Sequence, residues 1–528
     1  MKKLIALLLV LILCLSSCDV VGGLIGNLGN NGGLGNGDNN GIIGGDDNDI
    51  GYEGDCDGTN HTDVNDDGYC DGCLESVIVI IDLFALNDLH GKITETSSQP
   101  GIAGLTTYLK KMSNDNTVFF STGDMWQGSS ESNLTHGALI TDWMNELGFV
   151  SMTLGNHEYD WGQEDILNNS ELADFPLLAI NVYDKETNER VEYAQSSVVI
   201  SRGGIEIGII GAMGNCYSSI SGEVSGDFYF KTGKDLTNLV KAEADRLKAE
   251  GVEFIVYSIH DGYGSNSNSI KYVSDKDISG YYDMELSNGY VDIVFEAHTH
   301  QSYILCDSKG VYHLQGGGEN SGLSTAKLRY NIANDNKSVT SPQIVKASAY
   351  KNLAKDSLIN TLLEKYAEII DKAYEVLGTN IKYRDDSEVE QIVADLYYQC
   401  GVEKWGSEYD IILGGGFIRT RNPYNLKGGS ITYSDIYSLL PFDNEIVLCS
   451  ISGRDLYYKF INTDNTDYYI SYGSNNVSNI DFNKTYYIIT DTYTSTYAYN
   501  NLTEVARYGT GIYARDLFAE FVKAGGLG

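Results

Sequence analysis

The sequence predicts an α/β fold in which a mainly parallel sheet is covered by helices on both faces. Three observations support this prediction. Apolar, largely β-branched or aromatic runs such as Val77–Leu86, Val118–Phe120 and Val252–Tyr257 have the composition of buried strands. Helix-type spacing alternates with these runs, as in the segment that Asp235 is predicted to cap and that ends before Gly251. The strands are also apolar throughout rather than alternately polar, as in sheets buried on both sides.

The first 18 residues are predicted to be an export signal rather than part of the fold. Lys2 and Lys3 precede the short apolar stretch Leu4–Leu15, and Leu15–Cys18 resembles a bacterial lipobox. Lipidation of Cys18 would anchor the protein to the extracytoplasmic face of the cell membrane, which labelling with a fatty-acid analogue would detect. Residues 19–55 are mostly Gly, Asn and Asp, a composition typical of a flexible tether.

Residues 56–75 form a small segment rich in Asp and Cys that has three interpretations. One is a calcium loop, whose ligands would be Asp63, Asn65, Asp67 and Asp71. Against it, Leu74 occupies the position where such a loop carries a bidentate acid. The second is a zinc site formed by Cys56, His61, Cys70 and Cys73. The third is an acidic spacer without a metal.

The charge of the chain excludes one class of partner. Its 528 residues contain 36 Lys and Arg against 73 Asp and Glu, a formal net charge of −37. Such a surface repels nucleic acid backbones, so no nucleic acid partner is expected. An anionic substrate would need local positive charge, which bound metal cations can supply.

Five polar strings, each at the end of a predicted strand, carry the chemistry of the chain. They are Asn87–Gly91, Gly123–Asp124, Gly155–Asp160, Ser258–Gly262 and Ala297–His300, and they contain five of the eight histidines. The carboxyl ends of parallel strands converge on one crevice, so these distant residues are expected to face a single site. Carboxylate, imidazole and amide ligands suit first-row divalent ions such as Zn, Mn, Co or Fe. Their number exceeds what one ion would take, which indicates two ions sharing a carboxylate.

In order and wording, these strings resemble the calcineurin-like metallophosphoesterases, and among them the branch of 5′-nucleotidases and 2′,3′-cyclic phosphodiesterases. The resemblance implies a four-layer α/β sandwich over residues 76–350 and a smaller α+β substrate-binding domain over 379–528. Residues 351–378 are predicted to be a linker helix, with apolar residues at helical spacing from Leu358 to Val376 and an end at Gly378. In the family such a connector permits the C-terminal domain to swing.

The resemblance also implies a role for each residue of the strings. One metal would be held by Asp88, His90, Asp124 and His300. The other would be held by Asp124, Asn156, His260 and His298. His157 would be a catalytic residue that stabilises the transferring phosphoryl group or protonates the leaving oxygen, and Asp160 would orient it.

Substrate contacts are expected from the C-terminal block. Gly414–Arg421 resembles a glycine-rich turn of the family, which makes Arg419 and Arg421 candidate anion contacts, with Arg384 as a further candidate. An asparagine is common in the family where Gly414 stands here. Phe442 is expected to stack on a nucleotide base, with Tyr497 as the opposing face.

Together these features predict a phosphohydrolase that releases phosphate from nucleotides. The preferred interpretation is a 5′-nucleotidase, which would work by in-line attack of a metal-bound hydroxide. A 2′,3′-cyclic nucleotide phosphodiesterase and a nucleotide-sugar pyrophosphatase are alternatives that the same metals could serve. A different class is a surface binding or adhesion protein that keeps the fold without the activity. The expected partners are a nucleotide and, through the lipid, a membrane; a monomer and an oligomer both fit.

Overall fold

A computed structural model describes residues 61–95, 100–220, 225–267, 269–273, 290–418, 426–462, 468–475, 477–499, 501–509 and 511–528. All of them belong to the unit Glu53–Gly528. The predicted export signal with Cys18, the predicted tether, and Cys56 lie outside the described residues, as do Arg419 and Arg421.

The elements up to residue 346 make up what is called here the first domain. Its strands are β1 (Ile78–Leu86), β2 (Thr117–Ser121), β3 (Phe149–Thr153), β4 (Leu177–Leu178), β5 (Val182–Asp184), β6 (Ser197–Arg202), β7 (Ile205–Met213), β8 (Phe228–Phe230), β9 (Phe254–His260), β10 (Ile270–Tyr272), β11 (Ile293–Phe295), β12 (Ser302–Cys306), β13 (Tyr312–Gly316), β14 (Gly322–Asn331) and β15 (Asn336–Lys346). Its α-helices are α1 (Ile102–Met112), α2 (Ser130–Leu134), α3 (Ala138–Leu147), α4 (Gln163–Leu172) and α5 (Gly233–Ala249).

Two large sheets form the centre of this domain. The first has the strand order β15-β14-β1-β2-β3-β4, and the second has the order β10-β12-β13-β11-β9-β7-β6. The central pairs β1–β2 and β2–β3 in the first sheet and β7–β9 and β9–β11 in the second are parallel. The strands that carry the polar strings therefore all run in the same direction within their sheets, and their carboxyl ends share one edge.

Strand β1 shows why the apolar runs are continuous. Ile81 and Leu83 belong to the core between the two sheets, together with Phe254 of β9. Phe84 and Leu86, on the opposite face of the strand, pack with the helices that cover the first sheet. Helix α5 covers the outer face of the second sheet in the same way. Both faces of each sheet are thus buried, and the four layers confirm the predicted architecture.

Helix α5 begins slightly earlier than the sequence analysis predicts. Its first residue is Gly233, and Thr232 rather than Asp235 takes the N-cap position. Asp235 lies in the first turn, where a carboxylate still interacts favourably with the positive end of the helix dipole.

The predicted linker helix over 351–378 is wrong in its length. The structure has two short helices, α6 (Leu358–Lys365) and α7 (Ala367–Ile370), then a 3₁₀ helix over Asp371–Tyr374 and the strand β16 (Val376–Asn380). The break falls at Tyr366, whose hydroxyl donates a 2.6 Å hydrogen bond to Asp142. Since Lys365 also pairs with Asp142, this contact holds the end of α6 on the first domain and turns the chain. Val376, predicted to lie on the apolar helix face, is 60 % exposed.

The second domain contains the remaining elements. Its helices are α8 (Asp386–Trp405), α9 (Tyr433–Leu439), α10 (Gly453–Leu456) and α11 (Ala514–Lys523), and its strands after β16 are β17 (Ile411–Gly416), β18 (Gly429–Thr432), β19 (Ile446–Ser452), β20 (Tyr469–Ser471), β21 (Thr485–Asp491) and β22 (Thr503–Arg507). The main sheet has the order β20-β17-β21-β19-β22 and is mostly antiparallel. Helices α8 and α11 pack on one face of this sheet. Within the described residues of the whole chain, no helix combines the length and apolarity that crossing a bilayer requires.

Candidate active site

The structure brings the predicted ligands together at the carboxyl ends of β1, β2, β3, β9 and β11. The ligand atoms of Asp88, His90 and His300 lie within 4.8 Å of one another, and so do those of Asp88, Asp124 and His260. Asp88 belongs to both groups. Asp124 also approaches both groups, because its Oδ2 lies 3.1 Å from His260 Nε2 and 3.9 Å from His90 Nε2. The two carboxylates thus stand between the imidazoles of the two halves.

The other two predicted ligands border this cluster. The backbone N–H of His298 donates to the Asp88 carboxylate at 3.0 Å, and the rings of His298 and His260 lie 5.5 Å apart. Asn156 opens the short 3₁₀ helix Asn156–Tyr159 after β3 and is buried.

Backbone strain is concentrated in the same cluster. Five of the predicted ligands have a left-handed backbone with φ between 47° and 67°: Asp88, His90, Asp124, His298 and His300. Non-glycine residues adopt this conformation at a cost of about 1–3 kcal/mol each, and such residues persist where the surrounding structure requires them. The strain marks the loops after β1, β2 and β11 as a site rather than ordinary connections.

Two histidines are oriented by backbone carbonyl groups. His90 Nδ1 lies 2.8 Å from the Gln127 carbonyl oxygen, and His260 Nδ1 lies 2.8 Å from that of Thr122. A carbonyl can only accept, so these contacts assign the ring proton to Nδ1. The Nε2 atom of each ring then faces the Asp124 carboxylate, and it is the nitrogen that a metal ion would take in place of a proton.

The electrostatics of the cluster favour bound positive charge. Burial by itself lowers the pKa of His260, but the nearby Asp124 carboxylate outweighs burial and raises this pKa to about 10. Burial opposes the ionised form of Asp124, yet His260 and His157 hold the pKa of its carboxyl well below the usual range. His298 is different, because burial and then the charge of His260 lower its pKa to about 4. The cluster accepts a cation while His298 stays neutral and able to act as a ligand.

The packing of the site also fits metal ions. Asn156 Oδ1 is buried and has no hydrogen-bond partner in the described part of the chain, and buried His260 Nε2 faces the Asp124 carboxylate at 3.1 Å. Gly155 keeps the space between β2 and β3 open, since a Cβ there would stand 2.3 Å from Asp124 Oδ1. Buried acceptor atoms without hydrogen are what a cation requires, and the mixture of carboxylate, imidazole and amide suits a first-row divalent ion.

A thiol also lies near the cluster without joining it. Cys216 Sγ is within 4.8 Å of ligand atoms of His260 and His298. It donates to the His260 carbonyl oxygen at 2.9 Å, and burial raises the pKa of this thiol well above its ordinary value. A neutral, hydrogen-bonded thiol agrees with the sequence analysis, which leaves Cys216 out of the ligand set.

His157 stands at the edge of the cluster on the side of the second domain. Its Nδ1 lies 2.8 Å from Asp160 Oδ2, and its backbone N–H donates to Asp124 Oδ1 at 2.9 Å. The His157 ring lies 5.2 Å from that of His90 and stacks at 6.1 Å on Phe442. The structure therefore places His157 between the predicted ligands and the aromatic residue of the second domain, with Asp160 as its partner.

Glu158 is a positioning residue to which the sequence analysis assigns no role. Its buried carboxylate accepts hydrogen bonds from the backbone N–H groups of Asp124, Met125 and Gly155, at 2.7 to 2.8 Å. Burial, reinforced by the charge of Asp124, raises the pKa of Glu158 to about 7. Glu158 thus ties the loop after β2 to the loop after β3. The sequence does contain a signal for this role. Glu158 lies three residues after Gly155, which is the spacing at which an acidic side chain caps the start of a helix.

The comparisons with protein families agree with this geometry. Residues 82–302 match the family model for the calcineurin-like phosphoesterases, and residues 370–467 match that for the 5′-nucleotidase C-terminal domain. The matched parts of the chain are thus a calcineurin-like phosphoesterase domain followed by a 5′-nucleotidase C-terminal domain. Members of this phosphoesterase family use divalent metals to hydrolyse phosphoesters.

Relatives of this phosphoesterase have several names. The chain is 27 % identical over 421 residues to the endonuclease YhcR of Bacillus subtilis, covering 71 % of the chain but only 32 % of that protein. It is 22 % identical over 419 residues to the 5′-nucleotidase of Vibrio parahaemolyticus, covering 70 % of the chain and 72 % of the relative. The fold is similar to the crystal structure of the 5′-nucleotidase precursor from Thermus thermophilus, with a TM-score of 0.61, 17 % identity, and coverage of 84 % and 96 % of the two chains.

In the second domain of the phosphoesterase, Phe442 is held by a residue that the sequence analysis missed. Arg515 is 4 % exposed and donates from Nη1 to the Phe442 carbonyl oxygen at 2.9 Å. It also pairs with the Asp443 carboxylate and lies over the ring of Tyr437, 4.1 Å from its centroid. Sequence spacing carries no signal for such a buried arginine, because its partners lie about 70 residues away in the chain.

The other predicted substrate contacts are placed as follows. The Arg384 guanidinium bonds to Asn380 Oδ1 and to the Leu527 carbonyl oxygen within its own domain, so its role toward an anion stays a prediction. The side chain of Tyr497 lies outside the described part, but Tyr493 in the same string is 41 % exposed, and its ring lies 5.8 Å from that of Phe417. At Gly414 a Cβ would stand 2.2 Å from the Tyr398 backbone nitrogen. Helix α8 therefore leaves no room here for the asparagine that the family often has.

The predicted calcium ligands lie in a tight loop that is held by its own hydrogen bonds. Asp63 accepts from the N–H groups of Asp67 and Gly68 and from Asn331 Nδ2, all at 2.8 to 3.0 Å. Asp71 Oδ2 accepts from the Val64 N–H, and Asn65 Nδ2 donates to Asp67. Among the described residues, no group of three or more His, Cys, Asp or Glu ligands includes these acids. The calcium site stays a prediction, because these hydrogen bonds shape the loop and each carboxylate keeps further lone pairs for a cation.

Proposed function

We propose that this phosphoesterase is a 5′-nucleotidase that uses two divalent ions to release phosphate from nucleoside monophosphates. Asp88, His90, Asp124 and His300 would hold one ion, and Asp124, Asn156, His260 and His298 would hold the other. The single observation that supports the pair is the position of the two buried carboxylates, which stand between the imidazoles of the two ligand groups. When bound, the ions supply Lewis acidity, which activates water and neutralises charge on the phosphoryl oxygens.

The chain's own contribution to the chemistry comes from His157. Its Nδ1 hydrogen bond to Asp160 fixes the orientation of the ring. A proton on Nε2 can then be donated to charge that develops on the phosphoryl group or on the leaving 5′ oxygen. Glu158 keeps Asp124 and the 3₁₀ helix that carries His157 in register through its backbone contacts.

A nucleotide is proposed because an aromatic residue of the second domain faces this phosphoryl site. The Phe442 ring stacks on that of His157. A nucleotide whose base lies near Phe442 could therefore place its phosphate at the ligand cluster. Stacking on one aromatic face contributes about 1–3 kcal/mol per base. Several relatives, including that from Vibrio parahaemolyticus, are named 5′-nucleotidase.

The experiment is a phosphate-release screen of the purified protein with nucleoside monophosphates, 2′,3′-cyclic nucleotides, nucleotide sugars and a short single-stranded oligonucleotide. Activity toward monophosphates should exceed that toward the other classes, should vanish with a chelator, and should return with Mn, Co or Zn. The matched control is Asp124→Asn, which keeps the size of the side chain but removes the central charge. Equal turnover by wild type and Asp124→Asn would refute the proposal.

The oligonucleotide arm tests a second candidate function, which the relative named endonuclease suggests. The net charge of −37 opposes approach of a polyanion, so we expect this activity to be minor. Faster cleavage of the oligonucleotide than of AMP would replace the 5′-nucleotidase proposal with a nuclease. Absence of any activity with intact metal content would favour the surface binding protein.

A further inference from the structure

A second group of metal-type ligands precedes β1, at the end of that strand opposite to the active site. The ligand atoms of His61, Cys70 and Cys73 lie within 4.8 Å of one another. Cys73 Sγ is 3.5 Å from His61 Nδ1. The active-site residues Asp88 and His90 follow the other end of β1, whose nine residues span roughly 30 Å at about 3.3 Å per residue. The two groups are therefore separate sites.

Backbone hydrogen bonds shape the chain around these three side chains. The N–H of Cys70 donates to the Glu75 carbonyl oxygen at 2.8 Å, and Tyr69 forms an antiparallel bridge with Ser76. This small hairpin closes a tight turn that presents both cysteines on one side. The N–H of Asp71 donates to the Thr62 carbonyl oxygen at 2.7 Å, which brings the neighbouring His61 to the turn.

The environment of Cys70 favours the form of sulfur that binds metals. The backbone N–H of Cys73 donates to the sulfur of Cys70 across the C-x-x-C turn. Thiolate is the ligand form of cysteine. Donation of N–H groups to the sulfur of a C-x-x-C turn leaves its remaining lone pairs available to a soft cation.

We propose that His61, Cys70 and Cys73 bind a structural zinc ion that fastens the start of the folded chain to the first sheet. Two thiolates and an imidazole suit zinc, whereas calcium and magnesium prefer oxygen ligands. The hairpin is joined directly to the sheet, because the Val77 N–H donates to the Gly68 carbonyl oxygen. Buried Asp63, in the same loop, accepts from Asn331 at the end of β14. A metal here would therefore hold together the loop, β1 and the β14–β15 turn.

The test uses the full-length protein, with zinc content and cobalt substitution as readouts. Cobalt bound by thiolates gives an intense near-ultraviolet charge-transfer band, which ligation by carboxylate, imidazole and amide alone does not give. Wild type should show this band, and Cys73→Ser should lose both the band and a single zinc ion per chain. Because Cys73 is exposed, its replacement by serine disturbs little packing. His61→Ala should weaken zinc binding in the same way, and the matched control Cys400→Ser, outside every ligand group, should change neither readout.

Two results would overturn the proposal. One is an unchanged zinc content and cobalt band in both Cys73→Ser and His61→Ala. The other is a Cys70–Cys73 disulfide without metal, found by peptide mass spectrometry of the unreduced protein. Phosphate release by Cys73→Ser should equal that of wild type, so failure of the zinc proposal and failure of the 5′-nucleotidase proposal give different results.

Discussion

At the scale of single residues, the site is organised by carboxylates that are committed to different tasks. Asp124 faces the imidazoles of His260 and His90, while Glu158 faces only backbone N–H groups. Asp160 pairs with one ring nitrogen of His157 and is partly accessible to solvent. The carboxylate of Asp124 is thus a candidate metal ligand, that of Glu158 positions the backbone, and that of Asp160 orients His157. The surroundings of each carboxylate determine its role.

The residue whose loss best separates catalysis from metal binding is His157. We expect His157→Asn to lower kcat for AMP by about 10²- to 10⁴-fold, the usual contribution of a general acid or base. Its metal content should not change, because His157 is in neither of the two ligand groups around Asp88. Steady-state kinetics and elemental analysis of the same preparation measure both quantities.

A suitable control for this variant is His136→Asn. His136 also pairs with an aspartate, Asp165 at 2.9 Å, and also stacks on an aromatic ring, that of Trp161, but it lies outside the ligand cluster. Its kcat should match wild type. Loss of metal by His157→Asn, or wild-type kcat in that variant, would contradict the assigned role.

The ligand residues could be predicted from the sequence because each one belongs to a short string after an apolar strand. Asp88, Asp124 and His260 need only local order and a shared sheet edge to meet. The roles of Glu158 and Arg515 could not be predicted in this way. Both act on partners that are adjacent only after folding, and a charged residue in a sequence does not show whether it is buried.

At the scale of elements, the loop that carries Phe442 depends on an ion pair between buried Arg515 and partly exposed Asp443. Arg515 at the start of α11 reaches Asp443 and the Phe442 carbonyl oxygen, and Tyr437 of α9 covers its guanidinium. Burial raises the pKa of Asp443, and the charge of Arg515 opposes that rise. Helices α9 and α11 therefore determine where the aromatic face stands.

We expect Arg515→Met to destabilise the protein by about 1–3 kcal/mol, because it leaves the partly buried Asp443 carboxylate without its partner. The variant should also raise the KM for AMP more than it lowers kcat, since Phe442 loses its support. Denaturant unfolding and steady-state kinetics measure the two effects. KM for a small aryl phosphate, which has no base to stack, should stay close to wild type.

The double variant Arg515→Met with Asp443→Asn tests the cause of that loss. Removing the charge of Asp443 as well should recover part of the stability, because no uncompensated ion remains buried. If the single variant unfolds at the same denaturant concentration as wild type, the ion pair does not hold the loop.

The linker helix that the sequence analysis predicted too long has a physical explanation. Apolar spacing from Leu358 to Val376 fits one helix, but contacts of Lys365 and Tyr366 with Asp142 end the first helix early. Local patterns predict local structure, and tertiary contacts from distant elements override them.

At the scale of the whole molecule, the two domains meet at the active site. Ser130 of α2 and Ser434 of α9 are joined by a 2.7 Å hydrogen bond, and Tyr374 bonds to Glu131. Phe442 stacks on His157 across the same interface. The second domain thus covers His157, on which the proposed chemistry depends. The His157 side chain is 22 % exposed, and we expect a nucleotide to gain full access to it when the domains move apart.

A disulfide between the domains tests whether this movement is needed for turnover. The Ser130 and Ser434 side chains are close enough for a disulfide in the variant Ser130→Cys with Ser434→Cys. We expect the oxidised double variant to lose most of its kcat for AMP and to regain it on reduction, because a locked interface keeps Phe442 against His157. Each single variant under the same oxidant controls for effects on the other cysteines, including Cys70 and Cys73. Full turnover by the verified cross-linked protein would show that substrate reaches the metals without domain separation, and would assign Phe442 a role other than covering the site.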